Sequence, residues 1–329
     1  MPKIFVTRRT PQVAIDLLSE AFGSGSVDVY QEDRVIPRAE LLLRVRGVDA
    51  ILAILTETID AELLDAAGPQ LRIVANMAVG YDNIRVADAT GRGIPITNTP
   101  GVLTETTADL TWALLLATAR RVGESERFLR SGAWSSWSPT HMLGLDVHGK
   151  TLGIFGLGRI GSAVARRARA FNMDVIYNGR SRATPEEEAK LNVRWVEFPE
   201  LLAQSDILSL HCPLTPETRH SFSTAQFTAM KPTAIFINTT RGPVVDEAAL
   251  VEALKQREIW GAGLDVFEQE PKVHPGLLDC DHTVLLPHIG SATEETRGKM
   301  ATIAAENIIA RLNGETPPNC INPEVLRGA

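Results

Sequence analysis

One glycine-rich turn constrains this chain more than any other feature. Gly156-Leu157-Gly158-Arg159-Ile160-Gly161 follows directly on the apolar run 151–155, opens a helical stretch at 160–171, and precedes a second strand-like run at 174–177. That order makes a strand–turn–helix–strand unit of a parallel sheet. The first glycine permits the tight turn, the second lets a pyrophosphate approach the backbone, and the third lets helix and strand pack closely. The helix start, with Arg159 and Ile160 in its first turn, offers N–H donors and the positive end of its dipole to phosphate. A glycine-rich connector would account for Gly156 but not for Gly161, so the turn reads as a dinucleotide site.

The rest of the chain repeats the same alternation. Strand-like runs are expected at 3–7, 27–30, 50–55, 73–77 and 94–97, and in a second series at 151–155, 174–177, 193–196, 206–210, 234–238, 261–266 and 283–286. Helical stretches separate them, which predicts an α/β fold with parallel sheets. Between the two series, 102–121 is apolar nearly all round and reads as a buried helix. The polar, Trp-bearing stretch 124–149 shows little periodicity and reads as a functional or partner-contacting arm. Near the end, Ser291-Ala-Thr-Glu294 matches a capping box, Met300, Ile303, Ala304, Ile308 and Leu312 share a helical face, and Asn313-Gly314 ends it. This last helix would close the first series, so the chain is expected to cross back. The predicted division is 1–100 plus 291–329 for one domain and 101–290 for the dinucleotide domain, with the arm at about 121–149.

Composition removes several classes of function. The 33 Lys and Arg against 40 Asp and Glu give a net charge of −7, so no basic field is present to hold a nucleic acid. Hydrophobic residues at 44% and charged residues at 22% fit a globular protein with a sizeable core. Cys212, Cys280 and Cys320 cannot all pair and form no C-x-x-C, which speaks against a disulfide framework or a metal site. The most apolar run, 112–119, is far too short to span a membrane, and no secretory leader is read at the start. A cytoplasmic protein is expected.

Three patterns are decoys. Gly144 to Thr151 fits a nucleotide-hydrolase phosphate loop, but Lys150-Thr151 runs into a strand, where the donors would splay. Asn238-Thr239-Thr240 fits a glycosylation site without a secretory context. Arg166, Arg167 and Arg169 read as the solvated face of the helix after the glycine turn.

The residues after the second strand of the dinucleotide unit bear on cofactor choice. An acid some 20 residues past the turn commonly holds the ribose hydroxyls. Here Asn178 stands 22 residues after Gly156 and begins Asn178-Gly179-Arg180-Ser181-Arg182, with no carboxylate. Arg180, Ser181 and Arg182 offer charged and neutral donors to a 2′-phosphate, so NADP(H) is predicted to be preferred, with NAD(H) still usable.

Three further residues fall where strands end: Arg241 after 234–238, Glu270 after 261–266, and His288 after 283–286. Each alone has an ordinary explanation as a surface or turn residue. Together, beside a dinucleotide fold, they supply what reduction of a 2-oxoacid needs: a cation for carboxylate and carbonyl, a proton donor, and a carboxylate to keep that donor charged.

At these residues the chain resembles the D-isomer-specific 2-hydroxyacid dehydrogenases over essentially its whole length. The resemblance rests on VGYDNI at 79–84, the glycine turn, NTTRGPVV at 238–245, GLDVFEQEP at 263–271 and LPHIGSAT at 286–293. Within that family it is most similar to the glyoxylate/hydroxypyruvate reductases. The resemblance implies two doubly wound parallel-sheet domains, Rossmann-like and flavodoxin-like, with an interdomain cleft. It implies Arg241, Glu270 and His288 as the catalytic set, with Arg241 and His288 on substrate and Glu270 paired to His288. The N–H groups of Val79 and Gly80 would bind the substrate carboxylate, with Leu55 nearby. Thr107, Cys212, Pro213, Thr239, Asp265, His288 and Gly290 would line the cofactor. Trp137 would reach the neighbouring subunit's site in a homodimer. Val79 where phosphite-oxidising members carry Lys, and Glu270 where formate dehydrogenases carry Gln, argue against those branches. A 2-ketogluconate or broader 2-oxoacid reductase is the alternative enzyme, and a nicotinamide-sensing corepressor or scaffold the alternative of another class.

Overall fold

The computed structural model describes residues 1–326 of the 329. The chain divides into two compact units, Met1–Leu103 with Ser291–Ala329, and Thr104–Gly290.

The first unit carries β1 (Ile4–Val6), β2 (Val27–Val29), β3 (Ala50–Ala53), β4 (Ile73–Asn76) and β5 (Ile96–Thr97), in the order β2-β1-β3-β4-β5. Every pairing is parallel. This is the flavodoxin-like order, whose ligand edge is the carboxyl end of the strands. β1, β3 and β4 are buried along their whole length, which is why β1 and β3 read as unbroken apolar runs, and β4 as one that ends on the buried Asn76, rather than as alternating ones. The helix Glu294–Leu312 closes the unit, packing Ala301, Ala304, Ala305 and Ile308 against Ile4, Leu18, Leu52 and Ile73. Arg72 donates to the carbonyls of Arg311 and Leu312 at 2.9 and 3.1 Å, covering acceptors that the last helical turn leaves unpaired. The start of this helix differs from expectation. Thr293, not Ser291, is the N-cap, accepting from the Thr296 N–H at 3.1 Å, so Glu294 is the first helical residue rather than the third.

The second unit carries β6 (Thr151–Phe155), β7 (Asp174–Asn178), β8 (Val193–Trp195), β9 (Ile207–Leu210), β10 (Ile235–Asn238), β11 (Gly261–Leu264) and β12 (Thr283–Leu285). Their order is β12-β11-β10-β9-β6-β7-β8, again parallel throughout. Direction along the sheet reverses between β9 and β6. That is the Rossmann-type switch point, outside which a dinucleotide binds. The helix Thr104–Ala119 lies against this sheet through Ala108, Trp112 and Leu115, which join Ile154 and Ile237 in one apolar cluster. Trp112 also donates its indole N–H to the Val164 carbonyl at 3.1 Å and stacks on Phe171.

All twelve expected strands are present, and three other readings need correction. The arm holds a regular helix, Val122–Arg130, with no buried residue. Arg166 and Arg167 are not simply solvated: Arg166 reaches Glu105, and Arg167 reaches both Glu105 and Asp109, tying the glycine-turn helix to Thr104–Ala119. Residue 55, expected inside a strand, lies in the turn after β3. Among the described residues, no helix is long and apolar enough to cross a membrane.

Candidate active site

The glycine turn sits between the end of β6 and the helix Arg159–Ala168. Gly156 has φ +103°, and a Cβ there would lie 2.8 Å from the Cys212 nitrogen. A Cβ on Gly161 would lie 2.3 Å from the Gly156 carbonyl oxygen. A Cβ on Gly158 would meet nothing within 4 Å. Two glycines are thus demanded by internal packing, while Gly158 leaves open space above the first N–H groups of a helix. Those N–H groups have no intrahelical acceptor. The residues therefore fit a dinucleotide pyrophosphate at this turn.

At the ribose end the structure moves the reading by one residue. Asn178 ends β7 with its side chain buried, donating its amide to the Val196 carbonyl at 2.8 Å. Gly179 is the residue that faces the turn, since a Cβ there would lie 3.5 Å from the Gly156 Cα. Arg180 and Ser181 follow, both exposed. Arg182 instead binds Glu188 through two nitrogens at 2.8 and 2.9 Å.

Around the switch point, Cys212 is buried and its thiol is pushed up to about 12 by that burial, while Pro213 is exposed. Thr107 donates its hydroxyl to the Gly290 carbonyl at 3.1 Å, and the Thr239 hydroxyl meets that of Thr111 at 3.1 Å. Asn238 is 1% exposed, with its amide donated to the Arg241 carbonyl at 3.1 Å, so it is a turn-shaping residue.

The catalytic candidates rest on the strand ends of this unit. Arg241 stands in extended backbone just past β10, half-buried, with one guanidinium nitrogen donating to the Thr240 carbonyl at 2.9 Å. The next residue allows no side chain at all: a Cβ on Gly242 would sit 1.8 Å from the Phe267 carbonyl carbon. That contact presses the Arg241 loop onto the loop carrying Glu270. Glu270 accepts from the Phe267 N–H at 3.1 Å and from His288 Nδ1 at 2.8 Å.

His288 itself has φ +53°, a left-handed conformation unusual for a residue with a side chain. Asp265 holds it there. The Asp265 carbonyl accepts from the His288 N–H at 2.9 Å, and its two carboxylate oxygens accept from the N–H groups of Ile289 and Gly290, both at 2.7 Å. Asp265 is 1% exposed, and burial raises its pKa against the pull of those donors. Its carboxylate is thus the fastener of the His288 loop, a role that spacing alone did not reveal.

Burial also pushes the Glu270 carboxyl upward, but the hydrogen bond and charge of His288, helped by the charge of Arg241, hold it below its ordinary value. Its pairing therefore stabilises the fold fully above the ordinary carboxylate range and is lost as pH falls through the depressed value. The denaturant stability of wild type minus that of Glu270→Gln should accordingly be largest near neutrality and shrink below about pH 4; a difference that grows on acidification contradicts the assignment.

In the first unit, Leu55 and Val79-Gly80 follow β3 and β4 at the carboxyl edge. The Val79 and Gly80 carbonyls accept from Asn98 and Asn76 at 2.8 and 3.0 Å, while neither N–H has a partner among the described residues. Two successive N–H groups without a partner suit an anion. On the arm, Trp137 and Trp134 are exposed. Among the described residues, no His, Cys, Asp and Glu group is placed to hold a metal.

Residues 112–290 match the family model for the NAD-binding domain of D-isomer-specific 2-hydroxyacid dehydrogenases, which takes in more than half the chain. A glyoxylate reductase of Thermococcus onnurineus is 51% identical, across 99% of this chain and 97% of its own length. The chain belongs to the D-isomer-specific 2-hydroxyacid dehydrogenases. Among solved structures of similar fold, a Thermus thermophilus protein shares 45% identity at a TM-score of 0.90, covering 97% of this chain and 99% of that one. An NADPH-dependent glyoxylate/hydroxypyruvate reductase of Sinorhizobium meliloti shares 34% identity at a TM-score of 0.82, covering 98% and 99%. Membership of this dehydrogenase family accords with a histidine–carboxylate pair and an arginine at the strand ends of a Rossmann-type sheet.

Proposed function

We propose that the protein reduces glyoxylate or hydroxypyruvate to glycolate or D-glycerate, using NADPH in preference to NADH. The observation that carries this reading is the 2.8 Å contact between His288 Nδ1 and Glu270, with the Arg241 charge acting on the same carboxylate. With Nδ1 committed, Nε2 of the imidazolium is the atom that gives a proton to the substrate oxygen. Arg241 binds the substrate carboxylate and polarises the carbonyl. Val79 and Gly80 present two N–H groups suited to the same carboxylate. When bound, the reduced nicotinamide supplies the hydride. Gly156, Gly158 and Gly161 shape the turn that seats its pyrophosphate, and Asp265 keeps the His288 loop in place.

Preference for NADPH is supported by the absence of an acid at Gly179 and by the exposed Arg180 and Ser181 beside it. A homodimer, with Trp137 entering the neighbour's site, is supported by 78% exposure of that large apolar side chain on the arm. A cytoplasmic location follows from the proposed use of soluble cofactor and substrate.

The test is NADPH and NADH oxidation with glyoxylate, hydroxypyruvate and 2-ketogluconate as separate substrates. Expected are higher kcat/KM values for the two smaller acids than for 2-ketogluconate, and for NADPH than for NADH. A lead for 2-ketogluconate contradicts the substrate proposal, a lead for NADH contradicts the cofactor proposal, and no turnover of any of them contradicts the enzymatic one.

A further inference from the structure

Between Asn178 at the end of β7 and the helix Pro185–Leu191 lies a short loop that must present Arg180 and Ser181. Its far end is fixed twice. Thr184 and Glu187 form a capping box on the helix, and the Ala183 N–H donates to the Tyr177 hydroxyl at 2.8 Å. The same hydroxyl donates to Glu188 Oε1 at 2.8 Å. Arg182 closes the arrangement by meeting both Glu188 oxygens, Nε to Oε1 at 2.8 Å and Nη2 to Oε2 at 2.9 Å. Tyr177 is fully buried and the Glu188 side chain only 13% exposed, so the carboxylate is rooted in the core rather than waving in solvent. The two-pronged contact occupies the Nε–Nη2 edge of the guanidinium, one of the edges by which an arginine grips a phosphate, and ties the side chain back to its own loop.

Resting on the proposed use of NADPH, we infer that Tyr177, Glu188 and Arg182 form a brace that shapes the 179–183 loop for a 2′-phosphate, and that Arg182 is a positioning residue rather than a phosphate ligand. Arg180 and Ser181 are then the residues that meet the phosphate. The carboxylate in this brace stays ionised, held down to about 2 by Arg182 and Tyr177.

The sign of one substitution separates the brace from direct contact. If Arg182 gripped the phosphate, Glu188→Gln would free its guanidinium and lower KM for NADPH. If Arg182 is a brace, Glu188→Gln and Arg182→Gln each loosen the loop. Each then raises KM for NADPH about tenfold, the scale of one lost hydrogen bond to a charged group. In that case kcat and KM for NADH stay within about twofold of wild type, and the double variant is no worse than either single one, because both remove the same contact. Tyr177→Phe, which deletes only the hydroxyl, should move KM for NADPH in the same direction. A fall in KM for Glu188→Gln, an effect of Arg182→Gln alone, additive effects, equal losses with NADH, or no change overturns the brace. A wild-type enzyme that favours NADH overturns the cofactor reading separately, and the brace is then judged on the shifts in NADPH KM alone.

Discussion

Replacing His288 with alanine should lower kcat for glyoxylate reduction by about 10²- to 10⁴-fold, the range for loss of a positioned proton donor. KM for NADPH should change little, because the glycine turn and the loop after β7 lie on other strand ends of the sheet. The structure makes this a clean substitution. The backbone of residue 288 is held by Asp265, whose carbonyl and carboxylate bind the N–H groups of 288, 289 and 290 without using the imidazole. Loss of the ring therefore removes the proposed proton donor and leaves the backbone contacts to Asp265 available. Left-handed backbone at 288 costs an alanine more than a glycine, so His288→Gly serves as a control for strain. Steady-state turnover with both variants decides the matter: either one keeping near-wild-type kcat removes His288 from the chemistry.

The sheets were readable in the sequence because their central strands are buried on both faces and leave largely apolar runs without strict alternation, as in Ile4–Val6, Ile207–Leu210 and Ile235–Asn238. The glycine turn was readable because Gly156 and Gly161 each answer a separate steric demand, while Gly158 leaves open space before the helix. What spacing could not show was which way a residue faces at the end of a strand. Successive side chains point to opposite faces, so a one-residue difference carries Asn178 into the core and leaves Gly179 against the turn. In the sequence Arg182 reads as a phosphate donor, and its contact with Glu188 is hidden for a similar reason. Its partner Glu188 lies six residues on, across a loop and inside a helix, where no local periodicity links them. Glu270 and His288 were each legible as strand-end residues. Their contact spans 18 residues and depends on neighbouring strands β11 and β12 running parallel. Asp265 looked like one more cofactor-lining residue, and only the packed structure shows its carboxylate filled by backbone N–H groups. The arm concealed its helix because nothing in Val122–Arg130 is buried and its apolar residues, Val122, Phe128 and Leu129, are few among charged neighbours.

Arg241→Lys should reduce kcat/KM for the 2-oxoacid by about 10²- to 10³-fold, comparable to deleting one donor to a developing oxyanion, while binding of NADPH stays close to wild type. Charge is conserved in this variant, so the loss has to come from shape. In the structure one guanidinium nitrogen is donated to the Thr240 carbonyl, which fixes the plane of the group beside Glu270. With five N–H groups on a rigid planar fork, an arginine can hold a backbone anchor and address a carboxylate and a carbonyl at once. A lysine has a single nitrogen at the end of a flexible stem. Either it takes the anchor and abandons the substrate, or it follows the substrate without a fixed plane. Glu270 should keep its pairing with His288 in both cases, so the proton donor survives and the defect falls on substrate use. Kinetics at saturating NADPH, with tryptophan-fluorescence titration of NADPH alongside, separate these effects. A lysine variant with wild-type kcat/KM would mean that Arg241 acts only as a diffuse positive charge, and the planar clamp would then have to be assigned elsewhere.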